Sequence, residues 1–114
     1  MIGIYKITNS YNGKIYVGQS QDIEKRIEQH LTALQKKKHE NKNMQKDYNN
    51  YALSFSFEVL EECPLSLLNE AEKRWIAHFK SDDSRYGYNQ NKGGGYKHRK
   101  NKGRPTCLLD EITN

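Results

Sequence analysis

Two tripeptides near the start of the chain, Gly3-Ile4-Tyr5 and Tyr16-Val17-Gly18, each set a tyrosine beside a glycine. Asn12-Gly13 lies between them and is a strong hairpin signal. The hairpin brings two phenols together across a pair of short strands. An inner strand face needs only apolar residues, so tyrosines set against glycines mark a candidate site. Tyrosine is also a common strand residue, and the chain holds eight of them. A free phenol has a pKa of about 10, so it is a poor base at neutral pH unless a cation lowers that value.

Three other residues supply what phenols lack. At about 100° per residue, Leu68, Trp75, Ile76 and Phe79 share one face of a late helix, and Glu72 falls in the same arc. Glu70 points to the opposite side. A carboxylate amid such neighbours is costly unless it is paired or binds a cation. Glu72 is therefore a metal ligand or half of a buried ion pair. Arg26 and His30 are four residues apart on an earlier helix and flank its apolar stripe. A guanidinium there could neutralise a phosphate through forked donors, or it could pair with Glu72. An imidazole there could move a proton near neutral pH, or sit half-buried with a satisfied ring. His39, His78 and His98 show no metal-like spacing. The chain has neither a glycine-rich phosphate loop nor a Ser/His/Asp signature.

Taken together, Tyr5, Tyr16, Arg26, His30 and Glu72 describe phosphodiester hydrolysis. A cation on Glu72 would polarise the phosphate. Arg26 would hold charge on the pentacoordinate phosphorus, and a phenol or imidazole would take a proton from water.

The elements that must position these residues follow from periodicity. Residues 2–8 and 14–18 read as strands joined by a turn over Asn9–Gly13. Gly3 and Gly18 mark a bulge or a close backbone approach. Ile23, Ile27, Leu31 and Leu34 give a helix over residues 22–34, with Ser20 or Asp22 as its cap. Met44, Tyr48 and Tyr51 suggest a shorter helix over 40–51. Phe55, Phe57 and Val59 alternate in a third strand over 54–61. Pro64 opens a helix running to about Lys80, which Asp82-Asp83-Ser84 ends. Gly87-Tyr88-Asn89 forms a short closing segment. The expected class is α+β: a small three-stranded antiparallel sheet flanked by about three helices.

Composition sets the context. The 114 residues allow one modest core, with 34% hydrophobic residues and a mean hydropathy of -1.07. Residues 1–92 read as the domain and 93–114, from Gly93-Gly94-Gly95 onward, as a basic flexible tail. No apolar run approaches the ~20 residues that span a bilayer. No secretory signal is apparent, and Cys63 and Cys107 read as reduced thiols, so a cytoplasmic location in a bacterial or phage-infected cell is expected. The net charge is +5, and Lys92, Lys97, Arg99, Lys100, Lys102 and Arg104 outweigh it with no intervening acid. Lys36, Lys37, Lys38, Lys42 and Lys46 form a second basic cluster. A polyanion is the expected partner. A solvated, solubilising surface would have the same composition.

At this point the chain resembles the GIY-YIG endonucleases. The resemblance rests on Gly3-Ile4-Tyr5, on Tyr16-Val17-Gly18 with Val for the central Ile, on Arg26 and His30 in the following helix, on Glu72 three residues before Trp75, and on Asn89. It covers roughly residues 1–91 and is closest to the catalytic domain of phage-type homing endonucleases, whose pattern His39 also fits. It implies a divalent ion on Glu72, Mg²⁺ with Mn²⁺ as substitute, with waters at the remaining positions. It further implies Tyr5 as general base or water-orienting group, Tyr16 as a positioning residue, Arg26 as transition-state stabiliser and His30 as an alternative base or partner for Tyr5. His39 would assist at the site, at its DNA-facing side, and Asn89 would be structural or DNA-contacting. The implied partner is double-stranded DNA, cut one strand per active site by a monomer or a DNA-induced dimer. The basic tail, with its Gly103-Arg104-Pro105 core, would add phosphate contacts or enter an AT-rich minor groove. The competing reading is a non-catalytic basic DNA-binding module.

Overall fold

Gly3–Asn9 (β1) and Lys14–Ser20 (β2) pair antiparallel, with Tyr5 opposite Gly18 and Ile7 opposite Tyr16. Gly13, at φ 78, supplies the left-handed residue that closes this hairpin. In the computed structural model, which describes residues 1–93, the chain continues through two helices, Ile23–Gln35 (α1) and Lys42–Tyr51 (α2). A third strand, Phe55–Glu62 (β3), pairs with β1 on its other side, so the sheet order is β2-β1-β3. The last helix is Leu68–Phe79 (α3). The expected sheet and helices are all present, with ends shifted by at most four residues.

Successive strand residues face opposite sides of a sheet, and this chain fills both sides. Tyr5 and Ile7 pack with Ile23, Leu34 and Met44 under α1 and α2. Ile4 and Val17 pack with Leu68, Ala71 and Ile76 under α3. The molecule thus has two small cores, one per sheet face, with β1 central to both. Gly3 is required at the start of β1, because a Cβ there would overlap the Glu61 carbonyl of β3, next to the register shift between Ile4 and Tyr5. The glycine reading of this position as a close approach beside a bulge is what the strands show.

The start of α3 differs from expectation, and its end falls where expected, at about Lys80. Pro64 does not open α3: it is extended (ψ 154), and a single 3₁₀ turn, Leu65–Leu67, precedes the helix. No side chain caps that end, and Leu65 and Leu67 are exposed, so neither capping nor packing draws the first turn into the helix. At the other end α3 stops at Lys80, in the left-handed conformation at φ 56, before the acidic residues are reached. Ser81 N–H donates to the Ile76 carbonyl and Lys80 N–H to that of Ala77, the paired closure typical of a helix C-terminus.

The closing segment lies along the outer edge of β2. Ile15 N–H donates to the Tyr86 carbonyl and Tyr88 N–H to that of Ile15. Asn89 continues the pairing with its side chain, accepting from Val17 N–H at 2.8 Å and donating to the Val17 carbonyl at 2.9 Å. Its amide replaces a peptide group and covers an edge that would otherwise expose unpaired donors and acceptors. Of the two roles expected for Asn89, this geometry is the structural one. Among the described residues no helix is long and apolar enough to cross a membrane.

Candidate active site

Gly18 explains the tyrosine-glycine pairing. The Tyr5 phenol lies across it so closely that a Cβ at position 18 would overlap the ring. That placement carries the Tyr5 hydroxyl to His30, whose Nε2 is 2.6 Å away. The His30 ring also meets Tyr16 edge-on, at 5.6 Å between centroids. Its other nitrogen, Nδ1, is 2.7 Å from His39 Nε2. One imidazole therefore gathers both tyrosines and a second histidine.

His30 sits deeper than the helix edge that its spacing suggested, at 2% exposure. His39, expected to assist at the site on its DNA-facing side, is buried as well. It is 4% exposed and lies behind His30, because Gln45 holds its backbone: Gln45 Oε1 accepts from His39 N–H at 2.9 Å, while Gln45 Nε2 donates to the Leu34 carbonyl at the end of α1. Asn41, the cap of α2, donates its backbone N–H to His39 Nδ1 at 3.0 Å. A buried polar chain thus runs from the α2 cap to the Tyr5 phenol.

Glu72 approaches from the opposite side of the sheet. It is half-buried on α3, and its Oε1 accepts from Gln19 Nε2 at 2.9 Å. The same Gln19 nitrogen donates to Asn69 Oδ1 at 2.8 Å. Gln19 follows Gly18 on β2 and points to the α3 face, so the site is assembled around the β2 edge, with the phenols on one side and the carboxylate on the other. The two sides sense each other, since the Glu72 charge raises the pKa of both Tyr5 and Tyr16. Gly93 passes over Glu72 and Ile76, where a Cβ would crowd both side chains. Arg26 is half-buried beside the phenols, with Nη2 3.7 Å from Glu40.

The GIY-YIG catalytic domain family matches residues 1–89. The chain belongs to the GIY-YIG family. Within it, the chain is 38% identical over 86 residues to intron-associated endonuclease 1 of Enterobacteria phage T4. That stretch is 74% of this chain and 35% of the phage protein, so the GIY-YIG domain here spans about a third of that relative's length. Among solved structures, the catalytic domain of the homing endonuclease I-TevI superposes with a TM-score of 0.70, 35% identity, and coverage of 76% of this chain and 97% of that one. A mutant of the same catalytic domain superposes with a TM-score of 0.73 at 35% identity, covering 81% and 95%. The shared architecture is the three-stranded antiparallel sheet with its helices.

The electrostatics of this GIY-YIG site follow from burial. Loss of solvent pushes the Tyr16 hydroxyl up to about 12, with Arg26 opposing. Burial and the neighbouring Tyr16 lift Tyr5 well above the ordinary phenol range, again against Arg26. Burial works against the charge of Arg26, but Tyr5, Tyr16 and Glu40 more than offset it, and its pKa ends above the ordinary value. His30 is held well below 6.5 by burial, then by Arg26 and His39. His39 is lowered by burial and Arg26, against Glu40.

Two buried neutral histidines make the fold sensitive to acid. Below about pH 6.5 the unfolded chain protonates residues 30 and 39, whereas the folded chain resists. Stability is therefore intact above that value and falls as pH drops toward the folded-state pKa values. The slope is up to about 1.4 kcal/mol per pH unit for each histidine. Thermal melts from about pH 7.5 to about pH 5.5 should show His30→Gln losing part of the wild-type decline. Equal slopes in the two proteins would refute this.

Among the described residues no cluster of three or more His, Cys, Asp and Glu could hold a metal. The residues present do fit a hard cation that keeps most of its own waters. Glu72 offers a carboxylate oxygen. Gln19, bonded to it through Nε2, also carries a buried carbonyl oxygen, Oε1, with no hydrogen-bond partner. Such an orphan costs about 1–3 kcal/mol, and a bound ion or its water would satisfy it. Gln19 and the depth of His39 escaped the sequence reading, since neither strand alternation nor helical period marks a polar side chain that is buried by a distant partner.

Lys92 is exposed and its Nζ is 3.2 Å from Asp82. Lys97, Arg99, Lys100, Lys102 and Arg104, with the tail to which they belong, lie outside the described residues.

Proposed function

We propose that this domain is a divalent-metal-dependent DNA endonuclease of the homing type. The observation that carries the proposal is the meeting of the Tyr5–His30 pair and the Gln19–Glu72 pair around one strand edge. A divalent ion, Mg²⁺ with Mn²⁺ as substitute, would be held by Glu72 with Gln19 beside it, and when bound it would supply Lewis-acid polarisation of the scissile phosphate. Arg26, kept charged beside the phenols, receives the negative charge that develops on the phosphoryl oxygens. Tyr5 orients the attacking water or takes its proton, with His30 as partner. Tyr16, edge-on to His30, fixes the position of water or phosphate.

One carboxylate and one set of phenols serve one phosphodiester. Each site therefore cuts one strand of double-stranded DNA, and cleavage of both needs a second copy assembled on the DNA or a second encounter. The exposed lysines of residues 36–46, Lys92 and the basic tail provide phosphate contacts without base readout. The curated phage relative is named an intron-associated endonuclease, and that supports the same activity here. A pure DNA-binding module has no use for a carboxylate and a tyrosine-histidine pair set around one strand edge.

Supercoiled plasmid should be nicked by the protein with Mg²⁺ and left intact with EDTA. Tyr5→Phe keeps the ring over Gly18 and removes the hydroxyl, so nicking should fall by roughly 10²-fold or more. Nicking in EDTA, or an undiminished Tyr5→Phe variant, contradicts the proposal.

A further inference from the structure

The hydrogen-bond chain behind Tyr5 has a direction, which follows from its donors and acceptors. Asn41 N–H donates to His39 Nδ1 at 3.0 Å, so that nitrogen carries no proton. A neutral ring must then carry its proton on Nε2. His39 Nε2 faces His30 Nδ1 at 2.7 Å, so His30 Nδ1 accepts and the His30 proton lies on Nε2. His30 Nε2 is 2.6 Å from the Tyr5 hydroxyl oxygen, so that oxygen accepts. The hydroxyl proton of Tyr5 is left to point away from His30.

No other assignment satisfies all three contacts. Reversing the chain would leave His39 with no proton on either nitrogen. Charging His30 would set two N–H groups against each other across the 2.7 Å contact, and charging His39 would do so against Asn41. Both rings are buried near the Arg26 guanidinium, which disfavours their charged forms.

We propose that His39 is a positioning residue that, together with the Asn41 backbone, makes His30 a hydrogen-bond donor to Tyr5 and not the acceptor of its proton. The proposal rests on the nuclease reading and divides the proton work within it. The Tyr5 hydroxyl proton then lies on the side away from His30, and negative charge that develops on the phenol oxygen as that proton is shared keeps the His30 N–H and the Arg26 guanidinium as partners. His30 is thereby removed as the base and becomes the group that steadies a charged Tyr5.

Nitrogen-15 spectra of the imidazoles in the metal-free full chain at neutral pH read the tautomers directly. Wild type should show the proton on Nε2 of both His30 and His39. His39→Gln keeps an N–H donor in the place of Nε2, so His30 should be unchanged and nicking largely retained. His39→Glu puts an acceptor there, so the His30 proton should move to Nδ1 and nicking should fall by on the order of 10²-fold or more. A wild-type His30 with its proton on Nδ1, or a His39→Glu variant with an unchanged His30 tautomer, overturns the proposal. The wild-type spectrum alone is decisive if the variants do not fold. The expected tautomers in a protein that never nicks DNA would uphold the chain's direction and reject the nuclease reading.

Discussion

Glu72→Gln should abolish metal-dependent nicking and leave the protein folded. Glutamine has the same shape, and its carbonyl oxygen can still accept from Gln19 Nε2, which now meets Glu72 Oε1 at 2.9 Å. What is lost is the negative charge, which is the strong attraction Glu72 offers a hard cation. Metal catalysis of phosphate ester hydrolysis is worth several kcal/mol, so the rate should fall by roughly 10³-fold or more. The same variant in titration calorimetry should show weakened Mn²⁺ binding, and its melting temperature should stay within a few degrees of wild type. The half-buried position of Glu72 and the neutrality of the amide make large destabilisation unexpected. A variant that nicks at the wild-type rate would remove Glu72 from the chemistry.

Gly18→Ala should be the most damaging single methyl group in the chain for activity. The added carbon overlaps the Tyr5 ring itself. That ring has no room to yield, being 1% exposed and hydrogen-bonded to His30 at 2.6 Å. Overpacking of this kind costs about 1–3 kcal/mol, and a displacement of about 1 Å in a reacting group costs about 10²-fold in rate. A melting temperature lowered by several degrees together with a rate loss of that size is the expected result. Wild-type nicking by Gly18→Ala would show that Tyr5 does not need its place across β2. Gly13 offers the contrasting case, because a Cβ there meets nothing within 4 Å and only the positive φ resists substitution.

The parts of this molecule that were legible in advance are those governed by local period. Alternation marked the three strands, and a 3.6-residue period marked α1 and α3. Glu72 stood out because it broke an apolar arc, and Tyr5 with Gly18 because a hairpin sets them opposite. Residues fixed by long-range contacts were not legible in this way. Gln19 matters because Asn69 and Glu72, fifty and more residues away, come to it. His39 is buried because Gln45 and Asn41 bind its backbone and ring. The two-sided sheet was also hidden, since the strand pattern alone does not say that α3 packs on the face opposite α1. The end of α3 near Lys80 was legible, but its closure was not, because Lys80 takes a left-handed conformation usually given to glycine or asparagine.

The separation of the site across β2 bears on the order in which its groups come together during synthesis. Tyr5, Tyr16, Arg26, His30 and His39 all lie before residue 40 and share the core under α1 and α2. Glu72 lies on α3, which packs on the other core and is the last helix among the described residues. During synthesis the phenols and imidazoles emerge first, and Glu72 joins them only when α3 has left the ribosome and docked. A truncated or half-folded chain therefore holds the phenols and imidazoles without Glu72. On the proposed endonuclease reading, cutting would require α3 to have docked, so activity would follow the order in which the fold is completed.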